Sequence, residues 1–168
     1  MWTESAIYSQ GSPMLIDEPP IDRQPIDLLL VEDNQADLKI TLRAFEKGRL
    51  KNNIYTVKNG QEALDFIFHE GIYQDAEKYP QPDIVLLDIM MPKMDGFEAL
   101  KRLKENERHS HIPVVMLTTS RNEEDVIKSF QYGAVSYIPK PITYEEFIRV
   151  VDGFNFYWQI INKLPRKK

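Results

Sequence analysis

Short apolar runs alternate with amphipathic segments along most of this chain. The runs are too short for free-standing helices and rich in branched residues, which is typical of buried parallel strands. They predict five strands, at 27–31, 53–57, a run ending at Asp88, 112–117 and 135–138. The segments between them have helical spacing and capping pairs, such as Asn59 with Glu62. The last of these helices is predicted to run from Thr143 to about Lys163.

This alternation predicts the fold class. Strands and helices that alternate five times are typical of an α/β protein, in which helices cover both faces of a parallel sheet. Right-handed crossovers leave few topologies, and they favour a flavodoxin-like (βα)5 three-layer sandwich with strand order 2-1-3-4-5. We expect one domain of this kind over residues 26–164, with an extended last helix.

The chain ends fall outside the alternating pattern. Residues 1–25 contain four prolines and scattered acids, which predict an N-terminal extension that is either flexible or docked on the surface. Residues 165–168 form a short basic tail. Neither segment is expected to contribute a layer of the domain.

Composition narrows the class of protein. The formal net charge of −5 argues against a general nucleic-acid-binding surface. The sequence has no cysteine, so disulfides and thiolate metal sites are excluded. It also has neither an apolar run long enough to span a membrane nor the layout of a signal peptide. We therefore expect a cytoplasmic protein that binds neither membranes nor nucleic acid.

Polar side chains end four of the five predicted strands. Glu32 and Asp33 follow the first strand, Asp88 ends the third, Thr118 the fourth and Lys140 the fifth. Because the carboxyl ends of parallel strands meet at one edge of the sheet, these side chains are expected to converge. Two carboxylates about 4 Å apart repel by roughly 4 kcal/mol at an effective dielectric of 20, so three need a cation nearby. Oxygen ligands without histidine or cysteine select a hard ion, and Mg²⁺ fits.

In that setting Asp88 is a candidate nucleophile towards phosphorus, giving an aspartyl phosphate. Mg²⁺ and the Lys140 ammonium would stabilise charge on the transferring phosphoryl group, and the Thr118 hydroxyl would donate to it. Two alternatives stay open. An aspartyl-nucleophile phosphohydrolase would normally carry a second acid two residues further on, where Met90 stands. A non-phosphorylated interaction module would not need the full polar set.

The chain from about Ile26 to Val151 resembles the receiver domain of two-component response regulators. Four motifs carry the resemblance: Leu30-Val31-Glu32-Asp33-Asn34, Asp88-Ile89-Met90-Met91-Pro92-Lys93-Met94-Asp95-Gly96, Met116-Leu117-Thr118 and Tyr137-Ile138-Pro139-Lys140-Pro141. The resemblance implies a phosphoacceptor signalling protein and not an enzyme. Asp88 would accept a phosphoryl group from a phosphohistidine on a sensor histidine kinase or a histidine phosphotransfer protein.

The same resemblance implies a ligand set for Mg²⁺. The ion would be bound by Asp33, Asp88 and the main-chain carbonyl of Met90, with Glu32 acting largely through water. The Met90 side chain would then be free to control water access. A bulky apolar group at that position is expected to slow hydrolysis of the aspartyl phosphate.

The resemblance also implies groups that sense the phosphoryl group. Thr118 and Lys140 would contact it. Tyr137 would be the switch aromatic, which turns inward when Thr118 moves towards the phosphate. The bond between Lys140 and Pro141 is expected to be cis.

A narrower similarity concerns partners. The loop 71–80 and the aromatic tail 153–158 look like those of single-domain receivers that partner bacterial phytochrome-type histidine kinases. We recognise no output module after the last helix, so we expect signalling through the protein surface. Apolar residues on more than one side of that helix predict a homodimer built from it and its neighbouring strand and helix. The alternative is that residues 1–25 fold back over this patch.

Overall fold

The computed structural model describes residues 25–47, 52–119, 122–143, 145–147 and 149. Within them, five parallel strands form one sheet with the order β2-β1-β3-β4-β5. The strands are β1 Ile26–Val31, β2 Asn52–Val57, β3 Ile84–Asp88, β4 Val114–Thr118 and β5 Ser136–Pro139. This is the strand order that the sequence predicts, and the flavodoxin-like α/β fold class is confirmed.

Helices connect the strands in chain order. They are α1 Gln35–Glu46, α2 Gly60–Phe68, α3 Gly96–Glu105 and α4 Glu123–Gln131, with a 3₁₀ turn at Gly71–Tyr73 between α2 and β3. Residues 145–147 and 149 are also helical. The rest of the predicted last helix to Lys163, the N-terminal extension up to residue 24 and the tail 165–168 lie outside the described residues. No helix among the described residues has the length and apolarity needed to cross a membrane.

Polar caps fix where the helices begin. The Asn34 side chain accepts hydrogen bonds from the main-chain N–H groups of Ala36 and Asp37, at 2.9 and 3.1 Å. Asn59 accepts from the N–H of Glu62 at 2.9 Å, which confirms that predicted cap. Each cap satisfies N–H groups that a helix start leaves without an intrahelical partner. Because these caps follow closely after β1 and β2, they hold the helix starts at the carboxyl edge of the sheet.

The core lies on both faces of the sheet. Because side chains alternate along a strand, Leu29 and Val31 of β1 pack on one face with α2 and α3, while Leu28 and Leu30 pack on the other. On that second face the rings of Phe45 and Phe147 meet edge to face, with centroids 4.2 Å apart. The apolar side chains of the strands are thus buried in the core. The polar residues that end the strands are left at one edge.

Candidate functional site

Two buried carboxylates stand side by side at the carboxyl edge of the sheet. Val31 of β1 is paired with Leu87 of β3, so the next residues, Glu32 and Asp88, are neighbours. Glu32 is 2% exposed and Asp88 is 5% exposed. Asp33 is more accessible, and it offers a carboxylate oxygen that lies within 4.8 Å of an oxygen of each of the other two. The predicted convergence of the three acids is therefore present in the structure.

Lys140 supplies the positive charge of this cluster. It follows β5, and its main-chain N–H donates to the Thr118 carbonyl at 2.7 Å. Its ammonium contacts Glu32 Oε2 and lies 3.1 Å from Asp37 Oδ2 and 3.2 Å from Asp88 Oδ2. The Lys140 ammonium is thus shared by three carboxylates. One directly follows β1, one ends β3 and one lies in α1. The peptide bond from Lys140 to Pro141 is cis, as the resemblance implied.

Burial and charge act in opposite directions on these groups. Burial raises the pKa of the Asp88 carboxyl, and the nearby Lys140 ammonium only partly offsets this. Burial likewise raises the pKa of Glu32, although a hydrogen bond from Lys140 acts to lower it. Burial alone would lower the pKa of Lys140, but its bonds and charge interactions with Glu32, Asp88 and Asp37 raise it. Lys140 is therefore held in its charged form, while burial disfavours the ionised forms of the two acids beside it.

The loop after Asp88 requires a glycine. The N–H of Gly96 donates to the Ile89 carbonyl at 2.9 Å, which folds the loop back onto the end of β3. A Cβ atom on Gly96 would lie 2.2 Å from the main-chain oxygen of Asp88, closer than any real contact. Glycine is thus the residue that lets α3 begin directly beside Asp88. Met90, two residues after Asp88, is 74% exposed.

Thr118 and Tyr137 occupy the neighbouring strands. Asp88 is paired with Leu117, which places Thr118 one residue further on at the end of β4, where it is buried. Tyr137 lies on β5 opposite Met116 and packs, partly buried, against the core face that carries α2 and α3. The structure thus brings Thr118 to the acid cluster and places Tyr137 two residues back on the adjacent strand. Their roles in sensing a phosphoryl group remain predictions.

Asp37 is a site residue that the sequence reading missed. It lies in the first turn of α1, where an acid is usual because it interacts favourably with the helix dipole. Its bond to Lys140 spans 103 positions of the chain. No local pattern signals such a contact, because it depends on how α1 sits over the sheet.

The donor set fits the predicted Mg²⁺. Glu32, Asp33 and Asp88 are the group of three possible ligands found among the described residues, and all of their ligand atoms are oxygens. Mg²⁺ prefers oxygen ligands and keeps several waters, which suits a site with one accessible acid. A dication would also offset the cost of keeping two buried carboxylates ionised. The contribution of the Met90 carbonyl remains a prediction.

Comparison with known proteins places this chain in a family. The chain matches the family described as the response regulator receiver domain over residues 28–152. It is 38% identical over 142 residues to the probable methanogenesis regulatory protein FilR2 of Methanothrix harundinacea, a match that covers 84% of this chain and 88% of that protein. It is 33% identical over 141 residues to the response regulator Rcp1 of Synechocystis sp., covering 84% of this chain and 94% of Rcp1.

Solved structures agree with the sequence comparison. The crystal structure of the Mn²⁺-bound form of Rcp1 is similar with a TM-score of 0.65 and 32% identity, covering 86% of this chain and 100% of that one. The crystal structure of the phosphorylated cyanobacterial phytochrome response regulator RcpA is similar with a TM-score of 0.67 and 34% identity, covering 84% of this chain and 99% of that one. The similarity therefore includes sequence as well as fold, over nearly the full length of these proteins.

Proposed function

The chain belongs to the response regulator receiver family, and we propose that it is the phosphoacceptor of a two-component phosphorelay. In this proposal Asp88 accepts a phosphoryl group from a phosphohistidine of a sensor histidine kinase or a histidine phosphotransfer protein. The observation that carries the proposal is the meeting of Asp88 with Glu32, Asp33 and the Lys140 ammonium at one sheet edge. The similarity to RcpA, whose structure is of a phosphorylated form, supports it.

The proposed transfer moves a phosphoryl group from a histidine nitrogen to an oxygen of Asp88. An Asp88 carboxylate oxygen attacks phosphorus, a P–O bond forms and the P–N bond of the phosphohistidine breaks. The imidazole leaves and takes up a proton. Asp88 must be ionised to attack, and Lys140, 3.2 Å from its Oδ2, favours that form. The same ammonium then stabilises charge on the transferred group, while the Thr118 hydroxyl donates to one of its oxygens.

We propose that Mg²⁺ is the cofactor. Glu32, Asp33 and Asp88 would hold it, together with the predicted main-chain carbonyl of Met90. When bound, the ion supplies positive charge that offsets the carboxylates and the developing charge of the phosphoryl group. The Mn²⁺-bound structure of Rcp1 supports a divalent ion in a similar protein.

Labelling with a small phosphodonor tests the acceptor role. The full chain is incubated with acetyl phosphate and Mg²⁺, and the bound phosphoryl group is detected by intact-protein mass spectrometry. Asp83→Asn is the matched control, since Asp83 immediately precedes β3, at the opposite end of that strand from Asp88. We expect labelling of the wild type and of Asp83→Asn, and none of Asp88→Asn.

The same experiment separates the alternatives. Continuous release of phosphate from several unrelated phosphodonors, without accumulated label, would favour the phosphohydrolase. Absence of both label and turnover would favour a non-phosphorylated interaction module. Labelling that persists in Asp88→Asn would place the acceptor on another residue.

We further propose that the donor is a phytochrome-type histidine kinase. The support is the similarity to RcpA, which is described as a phytochrome response regulator, together with the loop 71–80 noted in the sequence. Phosphotransfer profiling of the chain against a panel of purified histidine kinases tests this. Preferred transfer from a kinase of another sensor class would contradict it.

A homodimer is the proposed assembly. Among the described residues, α4 and the turn after it expose the large apolar side chains of Ile127, Phe130 and Val135 next to β5. We propose that this face and the last helix pair with a second copy, within a domain over residues 26–164 that residues 1–25 precede as an extension. Light scattering is expected to show a dimer that Phe130→Glu disrupts and Ile40→Glu, at an exposed position of α1, does not. A monomer both with and without residues 1–25 would contradict the dimer.

A further inference from the structure

Strand β2 forms one edge of the sheet. Among the described residues it is paired with β1 alone. The carbonyl of Val57 accepts a hydrogen bond from the N–H of Glu32 at 3.0 Å, so the main chain of Val57 faces β1. Because main-chain groups alternate in direction along a strand in a parallel ladder, those of Thr56 and Ile54 face away from the sheet. An outward row of this kind is a template for pairing with another strand.

A cleft of about 500 Å³ adjoins the end of this edge strand. Its walls are Gln35 and Leu38 on α1, Glu62 and Asp65 on α2, and the 3₁₀ turn Gly71–Tyr73. Thr56 and Val57 at the end of β2 and Lys58 directly after it also line the cleft. Helices α1 and α2 pack on opposite faces of the sheet. Because Gln35 and Glu62 lie in the first turns of these helices, the cleft lies at the carboxyl end of β2, between the two helix starts. An extended segment placed along the strand would have α1 on one side and α2 on the other.

The 3₁₀ turn forms a fixed wall of this cleft. The rings of Tyr73 and Tyr79 contact Phe66 with centroids 5.3 and 5.7 Å away, and they contact each other at 5.0 Å. A ring nitrogen of His69 lies 2.8 Å from the Tyr79 carbonyl. The turn nevertheless presents Ile72, which is 78% exposed, beside the cleft. A large apolar side chain is thus held in water by a well-anchored loop.

The charge of the cleft indicates what it binds. Two partly exposed carboxylates line it, from Glu62 and Asp65, against one ammonium, from Lys58, while the carboxylate of Glu32, which also lines it, is buried and contacts Lys140. The acids of α2 lie on one side of the β2 edge, and Leu38 of α1 lies on the other. Successive side chains of a strand point to opposite sides. A matching strand therefore carries basic residues at every second position and apolar residues between them.

The extension of this chain does not have that chemistry. Residues 1–25 contain one basic residue, Arg23, against four acids, which are Glu4, Asp17, Glu18 and Asp22. Four prolines in the same stretch cannot donate main-chain hydrogen bonds to an edge. Like charge and missing donors both disfavour this segment as the occupant.

We propose that the β2 edge and its cleft bind an extended basic and apolar segment of a partner protein, which adds to the sheet as a sixth strand. The segment forms main-chain hydrogen bonds with Ile54 and Thr56. Its basic side chains meet Glu62 and Asp65, its apolar side chains meet Leu38, and Ile72 packs on the stems of the basic ones. The binding does not require phosphorylation of Asp88, so it stands apart from the acceptor role.

A blocked hexapeptide that alternates lysine and valine is the probe, and one that alternates glutamate and valine is the control. Both are titrated into ¹⁵N-labelled full chain while amide resonances are followed. We expect saturable shifts of Ile54, Thr56 and residues 71–73 with the lysine peptide, and at least tenfold weaker binding of the glutamate peptide. Equal binding of the two peptides, or shifts centred on the opposite edge strand β5, would overturn the proposal.

Substitutions in the edge sharpen the test. Thr56→Pro removes an outward donor from an edge strand, where proline is tolerated, and it is expected to weaken the lysine peptide at least tenfold. Thr56→Val keeps the main chain and should retain binding. Asp65→Lys reverses one charge of the cleft and is also expected to weaken binding of the lysine peptide. It provides the test if Thr56→Pro does not fold. Unchanged affinity in the folded variants, or binding that appears only after removal of residues 1–25, would refute a partner strand.

Discussion

Replacing Asp88 with asparagine is expected to stabilise the protein in the absence of metal. The substitution keeps the size of the side chain and its carbonyl oxygen near Lys140, but it removes a buried negative charge. It therefore separates the contribution of the ion pair from the cost of burying a carboxylate beside other acids. Asp75→Asn, at an exposed acid that caps the turn at Glu77 and Lys78, is the control because asparagine can make the same bonds.

The distances give the size of the effect. Asp88 Oδ2 lies 3.2 Å from Lys140 Nζ, an attraction of about 5 kcal/mol at an effective dielectric of 20. A Glu32 oxygen lies within 4.8 Å, so when both groups are ionised it repels Asp88 by at least about 3.5 kcal/mol at the same dielectric. Asp33 is more accessible, and at that distance in water it adds about 1 kcal/mol of repulsion. These terms nearly cancel, so desolvation of the carboxylate decides the sign, and we expect a gain of about 1–3 kcal/mol.

The pH dependence has a definite sign. Burial raises the folded-state pKa of Asp88 above its ordinary value of 3.8, so the folded state binds the proton more tightly than the unfolded state does. The cost of the ionised carboxylate is fully present above the raised folded pKa and disappears as the pH falls to 3.8. The advantage of Asp88→Asn should therefore be largest at neutral pH and shrink on acidification.

Urea unfolding in EDTA, followed by circular dichroism from pH 7 down to pH 4, measures both effects. Added Mg²⁺ should stabilise the wild type more than Asp88→Asn. At neutral pH it should therefore narrow the difference between their free energies of unfolding. A variant that is less stable than the wild type at pH 7 in EDTA would show that the Lys140 ion pair outweighs burial. An advantage that grows on acidification would refute the assigned pKa direction.

Three further predictions concern the loop after β3 and a distant histidine. Gly96→Ala should cost about 1–3 kcal/mol in urea unfolding, because its Cβ would meet the Asp88 carbonyl at 2.2 Å; unchanged stability would contradict the close approach. Met90→Asn should shorten the lifetime of the aspartyl phosphate, measured by phosphate release after donor removal, and an equal or longer lifetime would contradict shielding by Met90. Burial, and then the charge of Arg108, lowers the pKa of His109 below its usual 6.5, so protonation should reduce stability as the pH falls through that pKa; an NMR titration midpoint above 6.5 would contradict this.

The sequence was informative where a local pattern has one structural solution. The apolar runs predicted all five strands and their order, because buried parallel strands and right-handed crossovers leave few alternatives. The last helix, predicted to start at Thr143, has its cap there, because the Glu146 N–H donates to Thr143 Oγ1 at 3.2 Å. Strand ends were less predictable. The sequence predicted a strand over residues 112–117, but the strand begins at Val114. The residue before it, Pro113, has no N–H to donate to the sheet.

Contacts between distant elements could not be predicted in this way. The loop 71–80 shows no apolar periodicity that predicts packing, yet Tyr73 and Tyr79 pack it on Phe66. Nothing in the order of residues distinguishes an anchoring tyrosine from an exposed one, because the distinction depends on the ring that meets it. The same holds for the bond between Asp37 and Lys140. The convergence at strand ends was predictable because topology fixes it, whereas these contacts follow from packing.

The sharing of Lys140 suggests how the site transmits a signal. Its ammonium contacts Glu32 and also lies 3.1 Å from Asp37 on α1. Phosphorylation of Asp88 would add negative charge next to this cation, so we expect the ammonium to move towards the phosphoryl group and away from the other two acids. Glu32 would then lose its counter-ion, and α1 would lose a bond to the end of β5. A charge change on Asp88 would thereby reach α1 and the end of β5 through a single shared lysine.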